Sequence, residues 1–173
     1  MEIFYTIEEK YLHALDELSY GERSKALKLL NEIIANDPNY ARAHYQLGLM
    51  YYYAIEDYQA AGYHLKLCAE LEPDFPEVYE HYLRLVVLLG MDKMVDAVAK
   101  KALNVKGVNI AAINASLGLF AEKKKDWEGA ISYYRLALLE STRKKEQDSL
   151  EEGIKRVKDK KRLEVKYNYL LAE

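Results

Sequence analysis

An all-α fold is what these 173 residues predict, and three observations predict it. Related segments begin at Ala41, Pro76 and Ala111, a step of 35 residues, and a fourth begins near Ile7, 34 residues earlier. Inside each segment the apolar residues recur at three and four, the period of an amphipathic helix: Leu47, Gly48 and Tyr51, then Tyr79, Tyr82, Leu83 and Val86. Gly (8) and Pro (3) are too scarce for a loop-rich or disordered chain, while half the residues are hydrophobic.

The elements follow in order. Thr6 with Glu9 three residues on is a capping box, so the first helix should start near Ile7. Gly21 marks its turn; Ala26, Leu30 and Ile33 give the second helix, closed by Asp37-Pro38. The second segment runs His44-Tyr45-Gln46-Leu47-Gly48-Leu49-Met50-Tyr51, then Ala61, Leu65 and Pro73, with a turn (Ala54 to Tyr58) one residue longer than usual. The third reads Tyr79, Tyr82, Leu83 and Val86, the turn Gly90-Met91-Asp92, then Val95, Ala99 and Ala102, and closes with Lys106-Gly107. Leu117-Gly118, Lys125-Asp126-Trp127-Glu128-Gly129-Ala130-Ile131, Tyr134 and Ala137 make the fourth. Gly48, Ala61, Gly118 and Ala130 fall where paired helices would cross, since small residues let backbones approach. From Lys144 the composition turns to Lys and Glu, with Leu150, Ile154 and Val157 at helical spacing. A capping helix of about 145–160 would cover the last hairpin, with Glu151, Glu152, Lys155, Arg156 and Lys158 on its wet face. A second apolar stripe, Leu163, Tyr167, Leu170 and Leu171, then either continues that helix on its own chain or forms a tail for a partner or a second copy.

The second segment resembles the tetratricopeptide repeat (TPR), with His44 where that family favours tryptophan and Leu65 where it favours a larger aromatic. The likeness covers residues 7 to about 141. It implies a right-handed α-solenoid of about four TPR-like helical hairpins, plus the capping helix. The expected organisation is a repeat domain over 1–144, with units of about 7–40, 41–75, 76–110 and 111–144, and a C-terminal capping helix or tail over 145–173.

Composition excludes several functions. One cysteine, Cys68, rules out a disulfide framework and a cysteine-based zinc site. No apolar run approaches the ~20 residues of a membrane span, and the first residues lack the basic start and apolar stretch of a signal peptide. A cytoplasmic protein, without membrane contact, is the expectation. The net charge of -3 argues against nucleic-acid binding. It conceals a gradient: residues 1–75 hold 6 basic and 13 acidic side chains, residues 76–173 hold 19 and 15. Such polarity can steer a charged partner or favour head-to-tail association, or be no more than an unevenly charged solvated surface.

No constellation carries catalysis. His13, His44, His64 and His81 have no metal-ligand spacing, and no phosphate loop or nucleophile elbow is present. His44 reads as a packed core histidine with one nitrogen satisfied, Cys68 as an inert core thiol, and the carboxylates as solvated faces or first turns. No enzyme, cofactor or metal is expected.

Tyrosine is the unusual residue, at 16. Tyr51, Tyr58, Tyr63, Tyr79, Tyr82, Tyr133 and Tyr134 lie on or near positions that bury apolar bulk. Tyr45 and Tyr52 fall instead on the side that lines the concave groove in the resembling family, with Tyr53 near its edge. The matching groove positions are Arg42, Gln46 and Leu49, then Glu77, Glu80, His81, Arg84 and Leu88, then Ala112, Ala115, Ser116, Leu119 and Lys123. Some TPR proteins capture the terminal carboxylate of chaperone tails with a polar clamp; here its places hold Tyr11, Leu15, Gln46, Glu77 and His81, a set that disfavours a carboxylate. The expected function is binding of a peptide or helix of another protein in this groove. The alternatives are a self-associating assembly component, using the C-terminal tail, and a secretion-type chaperone.

Overall fold

Thr6 opens the first helix as the sequence predicts. Its hydroxyl accepts from the Glu9 amide at 3.2 Å while the Glu9 carboxylate accepts from the Thr6 amide at 2.8 Å. The structure, a computed structural model, describes the backbone of residues 6–171 and the side chains of residues 6–165. Every element among them is helical: α1 (Ile7–Tyr20), α2 (Arg23–Asn36), α3 (Ala41–Met50), α4 (Tyr58–Leu71), α5 (Pro76–Leu88), α6 (Asp92–Ala102), α7 (Ile110–Lys123), α8 (Trp127–Glu140) and α9 (Lys144–Leu171). None is long and apolar enough to cross a membrane. The chain divides into two compact units, Met1–Leu85 and Val86–Glu173.

In the first unit, Tyr11, Ala14, Leu30, Ile33, Ala43, Leu47 and Met50 form one core cluster. Helices α3 and α4 meet at Gly48, where an added Cβ would lie 2.7 Å from Leu65. The long turn predicted after this helix has a specific form. The backbone from Tyr51 to Ile55 widens into a π turn, and Glu56 then takes a left-handed conformation (φ 62°) before Asp57 caps α4. One extra residue is thus absorbed without losing the crossing.

Buried His44 donates from Nε2 to the Pro38 carbonyl at 2.9 Å, which leaves Nδ1 to accept from His64 Nδ1 at 2.8 Å. Both of its nitrogens are therefore satisfied, where the sequence suggested one. Burial, followed by the neighbouring His44, pushes the His64 pKa down to about 4, so the His64 ring is neutral near pH 7. Thirty-five residues on, the Tyr79 hydroxyl repeats the same tether by donating to the Pro73 carbonyl at 2.7 Å. Cys68 is fully buried, and burial raises its thiol to about 12. Tyr63 does not bury bulk as expected: it is 63% exposed, its ring edge-on to His64. It lies two residues after buried Ala61 and one before buried His64 on α4, and a helix turns such a neighbour off the packed stripe.

In the second unit, Gly118 brings α7 against α8, and an added Cβ there would lie 2.7 Å from the Tyr134 ring. Gly90 (φ 68°) ends α5, with the Met91 amide reaching back to the Val86 carbonyl at 2.9 Å. Helix α9 is continuous over 28 residues and packs on α8 through Leu150 and Val157. Arg156, expected on its wet face, turns instead to Glu122 of α7, a buried carboxylate. Glu122 also accepts from Lys160 at 2.8 Å and from the Tyr134 hydroxyl at 2.9 Å. Hydrogen bonding from Arg156 above all, helped by Lys160 and Tyr134, overcomes burial and holds its pKa at about 2. Of the tail stripe, Leu163 is exposed, while the side chains of Tyr167, Leu170 and Leu171 lie outside the described residues.

Candidate functional site

The first unit carries an open groove of about 500 Å³ along α1 and α3, reaching the start of α5. Its walls are aromatic and aliphatic: Tyr11, Leu12 and Leu15 from α1, Tyr40 and Tyr45 beside and on α3, and Phe75 just before α5. Glu8, Arg42, Gln46 and Glu77 supply the polar lining. The rings support one another. Tyr45 meets Phe75 edge-on at 5.0 Å between centroids, and Tyr11 lies 5.4 Å from Tyr40. Gln46 Nε2 reaches the Tyr11 hydroxyl at the long distance of 3.5 Å. Burial, followed by the charges of Glu77 and Glu80, raises the Tyr45 phenol, so it stays protonated.

A second cluster continues from Tyr45. Its ring lies 5.9 Å from His81, and His81 Nδ1 lies 2.9 Å from the Tyr53 hydroxyl. Arg84 donates to the same hydroxyl oxygen at 3.1 Å and pairs with Glu80 at 3.1 Å. With Arg84 donating, the Tyr53 proton is free to point at Nδ1, which suits a neutral imidazole. Burial lowers the His81 pKa in the same sense, opposed by Glu80 and aided by Arg84.

The predicted positions thus separate. Arg42, Tyr45, Gln46 and Glu77 line the groove; Tyr53, Glu80, His81 and Arg84 form the adjoining cluster; Leu49 is half-buried on α3. Tyr52 is corrected: it is 9% exposed, packed on Tyr53 and edge-on to Tyr58. It sits four residues after Gly48, so a helix places it on the face turned to the hairpin partner. In the second unit Leu88 and Leu119 are exposed and Ala115 is half-buried. Ser116 is buried there, bonded to the Ala112 carbonyl, and Lys123 donates to the Val87 and Leu88 carbonyls at the end of α5.

Sequence reasoning missed Glu8, Leu12, Tyr40 and Phe75 and read Tyr11 and Leu15 only as failed clamp positions. The signal was present: stepping back 34 residues from Arg42, Tyr45, Gln46 and Leu49 lands on Glu8, Tyr11, Leu12 and Leu15. No group of three or more histidine, cysteine or acidic side chains placed to hold a metal occurs among the described residues.

No protein-family model matches the sequence, and no curated protein matches it significantly. Solved structures do. MamA superposes with a TM-score of 0.69 at 21% identity, over 78% of each chain. PilW, a widely conserved type IV pilus biogenesis factor, gives 0.69 at 14%, over 88% of this chain and 78% of its own. Residues 41 to the end of MamA from Desulfovibrio magneticus RS-1 give 0.66 at 17%, over 93% and 98%. MamA and PilW are TPR proteins, so the fold of this chain is the all-α fold of TPR solenoids.

Proposed function

We propose that this TPR-fold chain is a non-catalytic interaction scaffold that binds a short peptide or helix of another protein in the aromatic groove of its first unit. The observation that carries the reading is the groove itself: rings of Tyr11, Tyr40, Tyr45 and Phe75 along an open channel, with Arg42 and Gln46 positioned to orient a backbone or side chain. Mutually packed rings offer large contact area at low entropic cost, the usual makeup of an energetic hot spot. Glu8 and Glu77 in the same lining favour a partner whose apolar anchor is flanked by a basic residue over one ending in a free carboxylate.

The test is a comparison of partner affinity between the wild-type chain and Tyr45→Ala/Phe75→Ala. Loss of two central rings should weaken binding by at least about tenfold, near 1.4 kcal/mol, with the helical circular-dichroism signal retained. Unchanged affinity removes the groove from the account. A second reading, self-association through the C-terminal helix, is favoured by Leu163 and Val165, which are 64% and 48% exposed on α9. Sedimentation of the full chain and of one ending at Lys160 separates the two: a monomer in both excludes it. A secretion-type chaperone is the other alternative to the peptide-binding scaffold, and a cytoplasmic setting, where a reduced thiol such as Cys68 persists, is proposed with it.

A further inference from the structure

Unit 2 has a cleft of its own. It lies between α8 and α9, holds about 450 Å³, and is lined by the apolar Ile131 and Val165 and by one carboxylate, Glu128. Four cations share the lining: Arg135 from α8, and Lys158, Lys161 and Arg162 from α9. Two of them are already partnered, Lys161 with Glu128 and Arg162 with Asp159 at 3.1 Å. Arg135 and Lys158 are in no ion pair among the described residues. The local balance is therefore positive in a chain whose total charge is -3.

We propose that this cleft is a second docking site, one that takes an acidic segment of a partner protein held by a single apolar side chain. The physical case is complementarity. Unpaired Arg135 presents a planar fork suited to a carboxylate, and Lys158 adds a point charge. The two existing pairs are solvent-exposed, so exchanging Glu128 or Asp159 for an incoming carboxylate costs little. The aliphatic stems of the four cations and Val165, 48% exposed, supply the apolar contact. A nucleic acid fits less well. Glu128 and Asp159 interrupt the cations and would repel an unbroken run of phosphates, whereas separate carboxylates on a peptide can be spaced between them. Every residue invoked belongs to the second unit, so this site and the aromatic groove stand or fall separately.

The probe is a fluorescein-labelled, glutamate-rich peptide of about twelve residues with one central leucine, titrated against the full chain by anisotropy at low salt. The site predicts saturable one-to-one binding that weakens roughly tenfold in Arg135→Glu/Lys158→Glu. Binding should also fall as salt rises, and fail for the glutamine version of the peptide. Val165→Ser should weaken the leucine peptide while leaving a leucine-free version unchanged. Tyr45→Ala/Phe75→Ala should change none of this. Absence of saturable binding overturns the proposal, as does equal binding to the charge-reversed variant. Preferential binding of a single-stranded oligonucleotide or an anionic vesicle overturns it too.

Discussion

Tyr52 and Glu122 occupy the same place in two hairpins, seventy residues apart, and both are buried. The first unit fills that place with an aromatic ring packed against Tyr53 and edge-on to Tyr58; the second fills it with a carboxylate tied to Arg156, Lys160 and Tyr134. A repeat position therefore fixes burial and leaves the chemistry open. The choice has consequences. The first unit keeps this position aromatic and carries further rings along an open groove. The second spends its polar groups inward, where they lock α9 onto α7 and α8.

The largest expected effect comes from breaking that lock. Glu122→Ala leaves Arg156, Lys160 and the Tyr134 hydroxyl without their common acceptor and should cost about 3 kcal/mol in urea unfolding. The estimate sits at the low end for a buried pair because both cations are half exposed and can hydrate. Tyr52→Phe, at the equivalent place, should cost under about 1 kcal/mol, since the packed ring is retained. The carboxylate also sets a pH window. Its pKa is about 2 in the fold against an ordinary 4.5, so its stabilisation is complete above about pH 4.5 and is lost as pH falls toward 2. Acid titration of the unfolding midpoint should show a slope there that Glu122→Gln flattens.

Next come the two helix crossings. Gly118→Ala and Gly48→Ala should each destabilise by about 1–3 kcal/mol through overpacking. Gly118→Ala should be the worse, because the new methyl meets the Tyr134 ring, whose hydroxyl is held by Glu122. At Gly48 the obstacle is Leu65, a side chain with other rotamers. Equal costs would mean that the carboxylate network does not stiffen the second unit. Thermal melts decide it.

Smaller still is the stability cost of Tyr45→Ala, about 1 kcal/mol for the lost contact with Phe75. The smallest effect has the opposite sign. Glu56 and Lys125 hold positive φ without being glycine, one in each unit. Glu56→Gly and Lys125→Gly should each raise stability by about 0.5 kcal/mol, as relief of the left-handed cost exceeds the added chain entropy.

Much of this fold was legible in the sequence because its signals are local or periodic. The Thr6–Glu9 cap, the crossings at Gly48 and Gly118, and the extra residue after Ala54 all announce themselves over a few positions. The groove was half legible. Repeat phase identified Arg42, Tyr45, Gln46 and Glu77, and the same phase carried back to α1 would have found Glu8, Tyr11, Leu12 and Leu15. Tyr40 and Phe75 stand one 35-residue step apart, each just before its helix, but the helical spacing of three and four that marked the other lining residues does not extend between helices. Glu122 was hidden for another reason. A carboxylate in a helix reads as solvated unless its partners are known, and Arg156 and Lys160 are more than thirty residues away.

The central claim is that the groove of the first unit is where another protein docks. A photoreactive benzoylphenylalanine at position 45, and separately at exposed position 63 on α4, tests it most directly in the source cell. The account predicts a partner peptide cross-linked from position 45, mapped by mass spectrometry, and none from position 63. Cross-links from position 63 alone would contradict it.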